Sequence, residues 1–358
     1  MAITDVRTRR LSCPLHTPFR TALRETTGVE TLVVEVLDAD GRHGFGEAPQ
    51  VWRVTGESMA SAEAAIHEVF RDRLLGQDTD DLNRLLREVR AAVPGNTNAK
   101  AAVDVALHDL AARRLNVPLV RLLGGSALWV PTDVTVSAGS AAELATSAGA
   151  RVRDGFDVLK LKVGTGDAAA DVERVRAVRD AVGERPRIRL DANQGWPPKT
   201  AVRAIRAVED AGLDVELVEQ PVPAADLDGL AWVTARVDTP VLADESVFSV
   251  RDLLEVIRRR AADLVNVKLA KCGGLAPART LLELAASAGL GTMVGSMMEG
   301  PVGVTAAASL VAAHPTTVVS DLDAAWWLAS SPVRGGVRYA AGTARLPDAP
   351  GLGLEFDR

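Results

Sequence analysis

Cysteine is nearly absent from this 358-residue chain: there are two, Cys13 and Cys272, far apart and outside any metal-ligand spacing. That leaves no basis for a disulfide framework or a thiolate metal site, and it points to reduced thiols in a cytoplasmic setting. Positive charge is not in excess either. Lysine and arginine number 41 against 47 acidic residues, a net charge of -6, which argues against a nucleic-acid partner. No apolar run reaches membrane-spanning length without charges, and the start, Met-Ala-Ile-Thr-Asp-Val-Arg, lacks an apolar signal core. No glycine-rich phosphate loop follows an early strand. What remains is an ordinary globular mixture, 47% apolar and 25% charged, long enough for one large domain and a smaller one.

The first fifty residues read as strands: Ile3 to Leu11, Thr31 to Leu37 and His43 to Ala48, with Asp38-Ala-Asp-Gly41 as a hairpin turn. Between the first two lies a long connection, His16 to Gly28, and a second loop follows at Gln50 to Gly56. Long connections of this kind are often lids or binding loops. Helical patterning runs from Ser58 to about Leu75, Asp81 to Val93, and Asn98 to Asn116, where Pro118 ends it. Strands followed by helices without alternation form a separate α+β unit.

From Pro131 the texture changes to strict alternation. Apolar strands fall at Asp133–Ser137, Val158–Val163, Arg187–Asp191, Val215–Glu219, Val241–Asp244, Leu264–Leu269, Gly291–Gly295 and Val318–Leu322. Amphipathic helices fill the gaps. Eight strands with seven intervening helices over about 190 residues predict an α/β fold, a (β/α)8 barrel of TIM type. The tail from Gly335 is β-like and Gly/Pro-rich. The expected organisation is an α+β unit over residues 1–125, a barrel over 126–332, and a segment 333–358 that returns to the first unit.

The ionisable residues fall at the strand ends, each about one βα unit from the next: Lys162, Asp191, Glu219, Asp244, Lys268, then Asp321 and Asp323. Barrel enzymes gather catalytic groups at the C-terminal ends of the strands, so these side chains are expected at one mouth. Three carboxylates on adjacent strands, Asp191, Glu219 and Asp244, repel one another unless a cation sits between them; an all-oxygen set suits Mg²⁺. The alternative is three separate salt bridges to barrel arginines. Period-two spacing puts Lys160 and Lys162 on one face of their strand. Burying two ammonium groups side by side is costly, and a cationic neighbour with Mg²⁺ is expected to lower a lysine's pKa toward that of a general base. With Lys268 opposite, a proton can leave one face of a carbon beside a carboxylate and return on the other.

These motifs resemble the muconate-lactonizing subgroup of the enolase superfamily: Lys160-Leu-Lys162, Asp191-Ala-Asn193, Glu219-Gln-Pro221, Ala243-Asp-Glu245 and Asn266-Val-Lys268, with Val103-Asp-Val-Ala-Leu-His-Asp-Leu110 and Leu122-Leu-Gly-Gly125 at the end of the capping helices. The resemblance covers essentially the whole chain. It implies a (β/α)7β barrel whose mouth is covered by an N-terminal cap that the C-terminal tail completes. It also implies one Mg²⁺ per subunit and a homo-oligomer.

Ser320-Asp-Leu-Asp-Ala324 narrows the reaction. Asp321 and Asp323 share a face, which suits a cationic group, and the pair resembles dipeptide epimerases, where it holds the substrate's ammonium. One of the two is otherwise explained as a helix cap. The resemblance further implies that Arg24, in Phe19-Arg-Thr-Ala-Leu-Arg24, grips an acidic side chain, with Arg20 as the competing residue. Ser296 and Met297, with Met298, are expected to border the pocket. The expected activity is epimerisation of a dipeptide such as L-Ala-L/D-Glu. An N-acylamino-acid racemase, an o-succinylbenzoate synthase or a cycloisomerase is the alternative within the superfamily. A Schiff-base lysine aldolase and a non-catalytic barrel stand outside it.

Overall fold

The computed structural model describes residues 1–20, 25–137, 139–164 and 167–356. The chain opens with an antiparallel meander of β1 (Ile3–Arg20), β2 (Glu25–Asp38) and β3 (His43–Pro49). The expected loop from His16 to Gly28 is instead mostly ribbon. After an irregularity between Pro14 and Phe19, pairing resumes with Phe19 opposite Thr26 and Arg20 opposite Glu25. Leu15, inside that irregularity, bridges to Leu328, so the strand bends where another part of the chain takes over its pairing.

A helix runs from Met59 to Leu74 through a π-turn at Ile66–Phe70; Leu82–Ala91 and Thr97–Arg114 follow. Leu32, Val34 and Val36, alternating on one face of β2, pack with Ile66, Phe70, Leu85, Val103 and Leu107. The Thr97–Arg114 helix lies hard against β3. A Cβ at Gly46 would stand 1.8 Å from the Ala102 carbonyl oxygen and one at Gly44 would stand 2.1 Å from that of Ala106, so only glycine permits the approach.

β4 (Trp129–Pro131) leads into the barrel. Seven parallel strands follow in sequence order around one sheet: β5 (Val134–Val136), β6 (Val158–Lys162), β7 (Arg187–Asp191), β8 (Val215–Glu219), β9 (Val241–Ala243), β10 (Leu264–Lys268) and β11 (Gly291–Gly295). A helix follows each, several with side-chain N-caps from Ser140, Asp167, Asp226 and Ser249. The eighth position is shorter than the Val318–Leu322 strand expected. It closes the ring by single bridges, Ser320 to Thr132 and Asp321 to Gly295. Leu217, Leu242, Leu264 and Met293 fill the barrel floor, and the buried Arg189 lies among polar partners there, 3.0 Å from Asp133 and 2.5 Å from Glu216. The floor is packed, so chemistry is confined to the upper mouth.

The tail divides. β13 (Arg338–Ala340) and β14 (Thr343–Arg345) pair with β4, while β12 (Val333–Gly335) pairs with β15 (Leu354–Phe356). Beyond that, Phe356 packs on Phe45 and the Leu352 amide donates to Asp109. Among the described residues, no helix is long and apolar enough to cross a membrane.

Candidate active site

Both faces of the barrel strands are buried, so an inward-facing ion must find its partner within the barrel. On β6, Lys160 and Lys162 face inward while Leu159 and Leu161 pack outward into the core. Lys160 pairs with Asp321 and lies 3.6 Å from Glu219 Oε2. Lys162 Nζ is 2.5 Å from Oδ2 of Asp191, its register partner on β7. Across the mouth, Lys268 at the end of β10 is 2.7 Å from Asp244. Gly295 makes room for it, since a Cβ there would lie 2.7 Å from the Lys268 Cε.

The structure therefore brings together all eight of the predicted lysines and carboxylates: Lys160, Lys162, Lys268, Asp191, Glu219, Asp244, Asp321 and Asp323. Asp191 and Asp244 each turn one oxygen to the nearest ammonium group, Lys162 and Lys268. Burial opposes the charge of Lys268, but Asp244 and Glu219 outweigh it and hold the ammonium above its usual range; Lys160 is held up likewise by Asp321 and Glu219. Each lysine of the mouth thus faces a carboxylate of its own as well as its like-charged neighbours.

Excess negative charge remains. Six buried carboxyls (Asp191, Glu219, Asp244, Glu245, Asp321 and Asp323) meet four ammonium groups, the fourth being Lys271, 2.5 Å from Asp244 Oδ1. Burial, with Asp244 and Asp191 nearby, pushes Glu245 up to about 7. Burial also pushes Glu219 up to about 7, despite Lys160. Glu219 Oε2, Glu245 Oε2 and the Asn193 side-chain oxygen are buried and have no hydrogen-bond donor among the described residues. An all-oxygen cluster with more carboxyls than ammonium groups, and with orphaned acceptors, fits a hard divalent cation.

The backbone supports this arrangement under strain. Asn193, Gln194 and Gln220 occupy left-handed conformations, with φ of 42°, 68° and 36°. The turn lets the Asn193 amide donate to Asp191 Oδ1 at 2.9 Å, and the Gln220 side chain accepts from the Asp244 amide at 2.9 Å. Asn266 donates to Glu219 Oε1 at 2.7 Å. Lys271, Asn193, Glu245 and Asn266 were missed as site residues, although three of them stand inside the motifs already quoted.

On the eighth strand, burial acts against Asp321, yet Lys160 and Lys268 hold its carboxyl down at about 2. Asp323 is pushed up by burial and by Asp321, and its Oδ2 accepts from the Thr135 amide at 2.8 Å and the Trp327 indole at 2.9 Å. Both carboxylates line the central cavity with the three lysines. Ser296 and Met297 line it as expected, although the Ser296 hydroxyl donates to the Asp321 carbonyl at 3.2 Å. Phe19, Val51, Arg53 and Val54 line it from the N-terminal unit. Arg24 lies outside the described residues.

Two family models cover most of the chain: the mandelate racemase / muconate lactonizing enzyme N-terminal domain over residues 3–124, and the enolase C-terminal domain-like model over 143–358. Among curated relatives, the L-Ala-D/L-Glu epimerase of Bacillus subtilis is 44% identical, over 99% of this chain and 97% of that one. The solved substrate-liganded complex of the Bacillus subtilis L-Ala-D/L-Glu epimerase superposes with a TM-score of 0.96, covering 99% of each chain. A dipeptide epimerase from Enterococcus faecalis, complexed with Mg and L-Leu-L-Tyr, superposes with a TM-score of 0.95 at 39% identity, over 99% of this chain and 100% of that one.

Proposed function

The chain belongs to the mandelate racemase / muconate lactonizing enzyme family of the enolase superfamily, and we propose that it is an isomerase that epimerises dipeptides at the α-carbon of the C-terminal residue. The observation that carries this reading is the placing of Asp321 and Asp323 on the cavity wall beside three lysines. An acid pair there supplies a seat for a substrate ammonium, which an N-acylated amino acid lacks.

Asp191, Glu219 and Asp244 would hold one Mg²⁺, which supplies positive charge to the substrate carboxylate and so acidifies its α-proton. Lys162 on β6 and Lys268 on β10 stand on opposite sides of the mouth. One takes the α-proton and the other returns one to the opposite face, which inverts the centre. Lys160, beneath them, stabilises the negative charge that develops on the carboxylate oxygens. For Lys162 or Lys268 to act as a base, it must part from Asp191 or Asp244; those carboxylates belong to the proposed ligand set, so loading and base release are linked. Ser296 and Met297 shape the wall beside Asp321. In this proposal Arg24 reads an acidic side chain, and the enzyme acts in the cytoplasm on L-Ala-L/D-Glu or a similar dipeptide.

One observation favours a second reading. Asp321 already pairs with Lys160, and Asp323 already has two donors, so neither requires a substrate ammonium. That suits an N-acylamino-acid racemase. Incubation with Mg²⁺ and a set of dipeptides and N-acylamino acids in D₂O separates the two, with mass spectrometry reading a one-unit gain. The epimerase reading expects exchange with L-Ala-L-Xaa dipeptides and its collapse in Asp321→Ala. Exchange confined to the N-acylamino acids overturns it.

A further inference from the structure

Asp321 and Asp323 face one cavity but are held differently. Asp321 is paired with Lys160, whereas Asp323 has no ion-pair partner among the described residues. Its two donors, the Thr135 amide at 2.8 Å and the Trp327 indole at 2.9 Å, both take Oδ2. Oδ1 has no donor among the described residues, on a side chain that lines the cavity.

A buried indole N–H needs an acceptor somewhere, and Trp327 is buried in the core, so its bond to Asp323 alone says little. More telling is how firmly the ring is oriented. Trp327 ends a 3-10 turn, Ala324–Trp327, that begins directly after Asp323. From β1 of the N-terminal unit, His16 stacks on the ring with centroids 5.2 Å and planes 23° apart, and Phe19 meets it edge-on at 5.7 Å. On the barrel side, Trp326 meets it edge-on at 4.9 Å, and the Arg151 guanidinium lies 5.6 Å from its centroid. The backbone between the two acids is pinned as well. The Leu322 amide donates to the Thr132 hydroxyl at 2.9 Å, and its carbonyl accepts from the Tyr339 hydroxyl at 2.5 Å. With the backbone fixed, Asp323 keeps only the rotation of its carboxylate, and an indole that cannot turn removes that freedom too.

We infer that Trp327 is a positioning residue: by holding Oδ2 it keeps Oδ1 of Asp323 turned into the cavity, where it accepts a hydrogen bond from the substrate ammonium. The inference rests on the epimerase reading. It adds a route by which the N-terminal unit steadies the ammonium seat, since His16 and Phe19 fix the ring and the ring fixes the carboxylate. Burial and Asp321 favour the neutral acid at Asp323, while the two donors favour the carboxylate that an ammonium needs.

The test uses the full chain with Mg²⁺ and compares its best L-Ala-L-Xaa substrate with propionyl-L-Xaa, which carries hydrogen in place of the ammonium. KM and kcat of the dipeptide are measured by α-proton exchange in D₂O, and Ki of the propionyl compound by competition. Trp327→Phe keeps a ring in the stack and removes the N–H donor. It is expected to raise KM about fivefold or more, with kcat less affected, and to leave Ki within about twofold, so that Ki/KM falls. His16→Ala removes an exposed ring outside the cavity lining and is expected to lower Ki/KM by a smaller factor, about twofold or more. A Ki/KM ratio that holds in Trp327→Phe, whether KM and Ki stay put or rise together as loosened packing would make them, overturns the role of Trp327. Should that variant not fold, an unchanged ratio in His16→Ala overturns it instead. A wild type that exchanges no L-Ala-L-Xaa dipeptide, or binds the propionyl compound as tightly as the dipeptide, overturns the epimerase reading itself.

Discussion

Lys162 and Asp191 are register partners on neighbouring parallel strands, and 2.5 Å separates Nζ of one from Oδ2 of the other. Lys268 and Asp244 repeat the relationship across the mouth at 2.7 Å. Each base candidate thus rests against a carboxylate proposed to bind metal. The arrangement makes the two halves of the reaction separable, because each lysine addresses its own side of the cavity.

Replacing one lysine should therefore leave one-sided chemistry. Lys162→Ala and Lys268→Ala are each expected to lose epimerisation by a factor on the order of 10³ or more, since a missing acid–base group commonly costs about 10²–10⁴. Each variant should still exchange the α-proton of one epimer in D₂O, and the two variants should favour opposite epimers. The measurement is the deuterium content of recovered L,L and L,D dipeptide. Loss of exchange from the same epimer in both variants would contradict the two-face assignment.

Metal binding should be visible without turnover. A ligand that binds only the folded state at a hundred times its Kd stabilises it by about 2.7 kcal/mol. Titration of the wild type with Mg²⁺ is expected to raise Tm by several degrees, and EDTA to reverse the rise. Glu219→Gln and Asp191→Asn should lose most of the shift, because each removes a negative ligand from the set. A full Mg²⁺ shift in both variants would place the ion elsewhere.

The barrel was legible because parallel strands buried on both faces are near-continuous apolar runs, which the eye separates easily from amphipathic helices. Their ends carried the ions, so Lys162, Asp191, Glu219 and Lys268 could each be placed on a strand terminus from spacing alone. Pairing was not legible. That Lys160 would meet Asp321 depends on the barrel closing at a strand only bridge-long, and Ser320 and Asp321 give no periodic signal of that closure. The first cap segment differs for another reason: His16 to Gly28 has turn-forming residues, yet cross-strand pairing resumes at Phe19–Thr26. Nothing in the sequence around Glu47 or Asp104 signals the amides that docking of the N-terminal unit brings to each.

Glu47 should matter to stability and to substrate capture together. It is buried, joins β3 to the Pro301–Ala313 helix, and leads directly into the second cap loop. A Cβ at Gly300 would stand 2.8 Å from its Oε1, so the seat fits the carboxylate closely. Removing a charged acceptor from two amides costs roughly 1.5–3 kcal/mol. Glu47→Ala is expected to lower the urea midpoint accordingly and to raise KM more than it lowers kcat, because the loop wall loses its anchor. A stability change below about 0.5 kcal/mol, within the range of ordinary surface substitutions, would mean the contact is incidental.

The second docking contact should make stability depend on pH in a particular direction. Asp104, on the Thr97–Arg114 helix, accepts from the Leu275 amide at 2.7 Å, at the start of the barrel helix Leu275–Ser287. His108, one turn further on and buried, lies 3.2 Å from the same carboxylate and 2.8 Å from the Asp104 carbonyl. Burial opposes the imidazolium, but Asp104 outweighs it and raises the histidine above its ordinary value of 6.5. The folded state therefore binds this proton more tightly than the unfolded chain does. The stabilisation is complete below about pH 6.5 and is lost as pH rises through the raised folded value. Tm measured from pH 6 to 9 should show the advantage of wild type over His108→Gln shrinking with increasing pH. An advantage that is flat, or that grows toward alkaline pH, would show that His108 is neutral in the folded protein, packed against Asp104 without sharing its charge.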